Sequence, residues 1–178
     1  MTETLQPPAI RRATAADAGA LASFAARTFA DAFGADNRPD DLAAHLAASY
    51  GPEVQAREIA DPGAVTLLAE IGGALAGYAQ VRRGKAPPCV KGPAPVELQR
   101  FYVDRPWHGR GVAGHLMDAA RAAAAELGGS TFWLGVWERN PRAIAFYARC
   151  GFRDLGSWHF FVGSDRQTDR VMVANLGD

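Results

Sequence analysis

The sequence predicts an α/β domain in which a mixed sheet carries helices on its faces. Three observations lead there. Two strand-like runs meet at Gly72-Gly73, a two-residue hairpin signal. One strand–helix–strand unit follows, over roughly residues 96–137, and such a unit pairs its strands in parallel. A closing pair of strands ends the chain, so antiparallel and parallel pairing share one sheet.

Ile10–Ala13 is a short strand. Thr14 then offers an N-cap with Asp17 three residues on, ahead of an apolar-periodic stretch (Leu21, Phe24, Ala25, Thr28, Phe29) that runs to about Gly34. Asp40–Ser49 and Glu53–Ala60 are two further helices, the second stopped by Asp61-Pro62-Gly63. Ala64–Glu70 and Ala74–Arg83 are the hairpin strands. Residues 84–95 hold four prolines and two glycines and form a loop inside the domain. Val96–Val103 is the next strand. A glycine-rich segment then opens a helix from about Gly109 to Leu127, which Gly128-Gly129 ends. Thr131–Trp137 is a strand rich in aromatic and branched residues. Asn140-Pro141 opens a helix with a side-chain cap and a proline in the first helical position, and Gly151 stands where a left-handed residue closes it. Phe152–Val162 and Val171–Asn175 are the closing strands.

At 178 residues the chain predicts one domain, 1–178, with its core at about 9–176 and no need of staples. Nineteen Lys+Arg balance nineteen Asp+Glu, which speaks against a bulk electrostatic grip on nucleic acid or an anionic membrane. Hydrophobic residues make up 48% and charged residues 21%, an ordinary globular composition. Cys89 and Cys150 match no disulfide framework, zinc or redox motif. Neither has a visible base partner for covalent catalysis. His45, His108, His115 and His159 show no helical metal pairing, so no metal is expected. Residues 1–8 lack a basic segment followed by an apolar one, and no apolar run is long enough to span a membrane. A cytoplasmic protein is expected, as monomer or homodimer. Trp158, Phe160 and Phe161 belong either to an interface or to the core face of a strand.

His108-Gly109-Arg110-Gly111-Val112-Ala113-Gly114 stands between a strand and a helix. Glycines there let backbone N–H groups approach a ligand, and the helix N-terminus adds partial positive charge; both suit a phosphate or pyrophosphate. A tight turn needing glycine for its dihedrals alone explains the same residues. The segment also satisfies G-x-G-x-x-G, with Glu138 after the next strand. Two features oppose a dinucleotide fold: the glycines come five residues after the strand, and only one strand–helix–strand unit exists.

More residues fit another pattern. His108–Ala113 resembles the pyrophosphate loop of the GNAT superfamily of acyl-CoA-dependent N-acyltransferases, with Gly111 and Ala113 in register and His108 departing from the usual first residue. Asn140-Pro141-Arg142-Ala143-Ile144-Ala145-Phe146-Tyr147-Ala148-Arg149-Cys150-Gly151-Phe152 resembles that family's Asn-x-x-Ala-x-x-x-Tyr-x-x-x-Gly-Phe box. The two motifs come in the right order with one strand between, and the resemblance extends over about residues 9–176. The segments 133–140 and 160–169 resemble the PaiA-like branch of polyamine N-acetyltransferases.

The resemblance implies the GNAT fold, α/β with a mixed, mostly antiparallel sheet of six to seven strands and helices on both faces. It also implies acetyl-CoA as cosubstrate and direct transfer to a primary amine, such as spermidine or spermine. Tyr147 is then the general acid for the departing thiolate; otherwise it is a core aromatic. The main chain of Phe101, Tyr102 and Val103 pairs with the pantetheine arm and steadies the thioester oxygen. The segment His108, Gly109, Arg110, Gly111, Val112, Ala113 and Gly114 holds the pyrophosphate, and Asn140 contacts pantetheine in competition with its role as a cap. Glu97 is expected on the same strand face as Gln99, Phe101 and Val103, as general base directly or through water. A solvated carboxylate at a strand edge is the plainer reading. Asp31, Asp36, Asp40 and Asp41 line the acceptor side or are surface charges. A protein N-terminus or lysine as acceptor, and a CoA-binding regulatory module without turnover, are the rival readings.

Overall fold

The computed structural model describes residues 6–177. Seven strands form one sheet in the order β1-β2-β3-β4-β5-β7-β6: β1 (Ala9–Arg12), β2 (Ala64–Ile71), β3 (Ala74–Arg83), β4 (Pro95–Val103), β5 (Thr131–Trp137), β6 (Arg153–Val162) and β7 (Asp165–Asn175). Every neighbouring pair is antiparallel except β4 and β5. Five helices cover it: α1 (Ala18–Phe33), α2 (Pro39–Ser49), α3 (Pro52–Ala60), α4 (Val112–Glu126) and α5 (Pro141–Arg149).

The two faces have separate cores. On one, Leu116, Met117, Ala120 and Ala124 of α4 and Tyr147 of α5 bury against Val81, Leu98, Phe132 and Leu134. On the other, Leu21, Phe24, Ala25 and Phe29 of α1 pack on Leu68 and Tyr78 with Tyr50. The apolar spacing expected for α1 supplies that stripe, as a surface helix must bury one side.

Some boundaries move for identifiable reasons. A short 3-10 turn (Ala15–Asp17) precedes α1, its start fixed by the Thr14 N–H donating to Asp17 Oδ2 at 2.7 Å. α4 begins at Val112 rather than near Gly109, because Gly109 (φ 74°) and Gly111 (φ 83°) are both left-handed and cannot continue a helix. β7 starts at Asp165, six residues before the expected Val171. A turn at Gly163 (φ 60°) folds it directly onto β6, and the polar residues 165–170 pair there on an exposed hairpin.

One expectation about faces fails. β4 carries a bulge: Arg100 pairs with Gln80 and Leu98 with Val81, leaving Gln99 as an extra residue. A bulge reverses the alternation of faces beyond it. Leu98, Phe101 and Val103 therefore all lie toward α4, whereas Glu97, Arg100 and Tyr102 turn to the α1 side. Glu97 does not share a face with Phe101 and Val103.

Candidate active site

β4 and β5 are hydrogen-bonded only at Pro95–Thr131, Val96–Phe132 and Glu97–Trp133, and then diverge. Parallel strands that separate leave their facing N–H and C=O groups without a ladder. The gap from Leu98 to Val103 on one side and Leu134 to Trp137 on the other is therefore a slot of unpaired main chain, open to a ligand that carries amides. It forms the middle of a cleft of about 1270 Å³ that reaches both faces of the sheet.

At one end of the slot stands the start of α4. Among the described residues, no protein acceptor takes the N–H groups of Gly109, Gly111, Val112 or Ala113. The left-handed glycines fan these donors outward, and a Cβ placed on Gly109, Gly111 or Gly114 meets no protein atom within 4 Å. Free N–H groups at a helix N-terminus are an anion site. Arg110 turns back over the Trp107 ring, 5.6 Å from its centroid.

His108 has a mechanical role. Its Nδ1 accepts from Arg142 Nη1 at 3.0 Å, which places the proton on Nε2, and Nε2 donates to the Val103 carbonyl at 2.6 Å. The imidazole thus ties the end of β4 to the start of α5 across the mouth of the slot. Asn140 fills the first of its two expected roles and keeps the group needed for the second. Its Oδ1 accepts from the Ala143 N–H at 3.1 Å as the cap of α5, and among the described residues its Nδ2 has no acceptor.

Tyr147 lies on the α4 face among Phe101, Phe146 and Phe152, with ring centroids 5.4–6.1 Å away, and it lines the cleft. Burial first, and the neighbouring Cys150 second, push its phenol well above the usual range. The hydroxyl stays protonated at any working pH and can only give, never take, a proton at the outset. Phe101 packs on Phe146, while Tyr102 stacks on Tyr78 at 5.6 Å on the other face; strand alternation separates these neighbours, and the bulge before them sets which face each takes.

The opposite face of the slot is lined by Glu97, Trp133, Trp137, Trp158 and Asp169. Glu97 is not a free edge carboxylate: Arg82 Nε donates to its Oε2 at 2.7 Å, and the side chain is 16% exposed. Of the four aspartates expected on the acceptor side, Asp31 lines the cleft, with a 3.5 Å contact to Arg27. Asp41 is spent on the Ser164 N–H and hydroxyl, at 2.8 and 2.7 Å, and ties α2 to the β6–β7 turn. Asp36 and Asp40 lie outside the cleft lining.

Asp169 lies outside the strand that the sequence predicts at Val171–Asn175, because the apolar residues marking that strand begin only at Val171. The signal was present: Asp169, Val171 and Val173 alternate on one face, and a carboxylate continuing an apolar face asks for a reason. Trp158 and Phe160 lie on that face as cleft lining, and Leu155, Trp158, Phe160 and Phe161 all remain exposed. They are not core. Among the described residues, no cluster of three His, Cys, Asp or Glu could hold a metal, and no helix is long and apolar enough to cross a membrane.

Comparison with known proteins agrees with this geometry. The model of the acetyltransferase (GNAT) family matches residues 28–152. An uncharacterized N-acetyltransferase of Mycobacterium bovis is 36% identical over 90% of this chain and 98% of its own, and one from Lactobacillus delbrueckii subsp. lactis is 35% identical over 84% and 86%. The N-alpha-acetyltransferase RimI of Mycobacterium tuberculosis is 30% identical over 96% of both chains. Among solved structures, the PaiA N-acetyltransferase of Thermoplasma acidophilum in complex with coenzyme A superposes with a TM-score of 0.77 at 17% identity, covering 96% of this chain and 99% of that one. The yncA acetyltransferase of Salmonella typhimurium with acetyl-CoA reaches 0.66 at 20% identity, covering 97% and 96%. With a family model spanning most of its length and relatives above 30% identity, the chain belongs to the GNAT family of acetyltransferases.

Proposed function

We propose that this chain, as one domain over residues 1–178, carries the acetyl group of acetyl-CoA directly to a primary amine. The observation that supports this most is the slot between β4 and β5, with free N–H groups of the α4 N-terminus at its mouth and a protonated phenol at its side. In this reading Gly109–Gly114 receive the pyrophosphate. The main chain of Phe101–Val103 runs beside the pantetheine amides, Asn140 Nδ2 donates to them, and a β4 N–H holds the thioester oxygen as charge develops on it.

The amine nitrogen attacks the carbonyl carbon, and the tetrahedral intermediate collapses with cleavage of the C–S bond. Tyr147 gives its proton to the thiolate. Because its environment disfavours a free phenolate, giving a proton to the thiolate is coupled to receiving one from the acylated nitrogen, which restores the phenol. Glu97 is the carboxylate of the sequence reading; with Oε2 held by Arg82, its other oxygen is free to order a water between amine and solvent.

The acceptor in this proposal is a small amine of the polyamine type. Carboxylates and tryptophans on the acceptor wall favour an alkylammonium, and the PaiA superposition is in keeping with it. The N-alpha-acetyltransferase relative favours a second reading, a protein N-terminus. The free thiols of Cys89 and Cys150 suit a cytoplasmic setting, and the exposed aromatics of the outer strand β6 suit a monomer or a homodimer.

Release of CoA thiol from acetyl-CoA, measured across spermidine, spermine, amino acids and short peptides, tests the proposal. Turnover with an amine that falls about 10²- to 10³-fold in Tyr147→Phe, with acetyl-CoA affinity kept, is the expected result. Acetyl-CoA binding without turnover on any amine overturns it in favour of a regulatory module.

A further inference from the structure

Asp169 sits in the middle of a row. In the sheet register its direct partner on β5 is Trp137 and its direct partner on β6 is Trp158, so the three side chains share the acceptor face as tryptophan, carboxylate, tryptophan. The carboxylate leans over β5: its Oδ2 lies 3.0 Å from where a Cβ on Gly135 would stand. The missing side chain at Gly135 is what gives it room beside the slot. Asp169 has no hydrogen-bond or ion-pair partner among the described residues, in contrast to Glu97.

Resting on the acetyl transfer argued above, we propose that Asp169 is the carboxylate that receives the acceptor's ammonium and takes its proton, from the sheet face opposite Tyr147. Two tryptophans in the cleft lining, Trp137 steadied by Phe33, and one unpaired carboxylate make a site for an alkylammonium: the rings attract the cation and the carboxylate accepts its N–H. The step balances. One N–H bond of the ammonium breaks as an O–H bond forms on Asp169, and the freed lone pair attacks the thioester. The nitrogen's second proton restores Tyr147 as the thiolate is protonated. Asp169 returns its own proton to solvent.

The surroundings suit a base at neutral pH. Burial, and then the Glu138 charge at the end of β5, raise the Asp169 carboxyl to about 6. Of the other charged groups, Arg170 pairs with Asp154 on β6, His159 with Arg166, Glu97 with Arg82 and Asp31 with Arg27, while Lys85 and Arg149 also line the cleft.

The experiment compares kcat/KM for acetyl transfer to spermidine, or to the best amine found, between pH 5 and 9, in wild type, Asp169→Asn, Glu97→Gln and Gly135→Ala. Wild type is expected to gain activity as pH rises through about 6. Asp169→Asn is expected to lose about 10²- to 10³-fold and that limb of the profile. Glu97→Gln, which removes a carboxylate that orders water and not the proton acceptor, lowers kcat/KM but keeps the limb. Gly135→Ala, by crowding the carboxylate, lowers kcat/KM while acetyl-CoA affinity holds. Asp169→Asn that keeps the wild-type rate within twofold and the wild-type profile overturns the assignment alone. Wild-type protein that acetylates no amine overturns the transfer reaction and the assignment with it.

Discussion

Gly114→Ala separates the binding role of the α4 N-terminus from its structural one, because the two respond with opposite signs. Gly114 stands in the first turn of α4 with a helical φ, and a Cβ there meets no protein atom within 4 Å. Nothing in the fold resists the methyl. Replacing helical glycine by alanine stabilises by about 0.5–1 kcal/mol, raising Tm by about 1–4 °C for a chain of this size. A helical Cβ tilts toward the N-terminus, so the same methyl leans over the donors of Gly111, Val112 and Ala113. A phosphate pushed off one such donor loses about 1.5–3 kcal/mol, the cost of a hydrogen bond to a charged group, or about 10- to 150-fold in affinity. Calorimetric titration with CoA and with dephosphorylated pantetheine, beside thermal melts, makes the measurement. The variant is expected to melt higher, bind CoA more weakly and bind pantetheine as before. CoA affinity that is unchanged, or a loss shared equally by pantetheine, would refute the anion cradle; a lower Tm would refute the open-space argument.

Asn140→Asp keeps the oxygen that caps α5 and removes only the Nδ2 donor, so Tm is expected to hold while KM for acetyl-CoA rises about fivefold to twentyfold, about 1–2 kcal/mol for one hydrogen bond. Asp169 destabilises the native state when ionised, because its folded value of about 6 lies above the ordinary 3.8; the native protein binds the proton first, so its stability falls as pH rises from about 4 to about 6. Asp169→Asn, compared with wild type in urea melts at pH 4.5 and 7.5, is therefore expected to be the more stable protein at the higher pH, by up to about 3 kcal/mol, while being the slower enzyme. Arg100→Ala breaks the contacts of a buried guanidinium with Glu58 (2.6 Å) and Gln80 (2.8 Å) and over the Tyr50 ring. Glu58 keeps its bond from Gln80, so the loss falls at the lower end for a broken buried pair, about 3 kcal/mol or 6–12 °C in Tm.

Half of the site is legible in the sequence. The glycine segment, Asn140 with Pro141, and Tyr147 two helical turns later are local signals. Left-handed dihedrals, a cap and a helical spacing are written in neighbouring residues, and the fold placed all of them around one cleft. Glu97 was legible as a residue and misread as a position, because period-two counting assumes an unbroken pleat and Gln99 breaks it. His108 looked like a departure from a motif; its tie between Val103 and Arg142 needs β4 and α5 side by side, and no stretch of sequence brings them there.

Local chemistry therefore determined the order of elements, the caps and breakers at helix ends to within a few residues, and the left-handed glycine turn ahead of α4, since each depends on residues within a few positions of one another. Tertiary structure decided what depends on strand neighbours: where β4 and β5 part, which face each β4 side chain takes beyond the bulge, and that Asp169 stands between Trp137 and Trp158 against the bare Gly135. The physical reason is that strand pairing joins residues far apart in the chain, and a single extra residue in one strand reassigns every side chain after it to the other face.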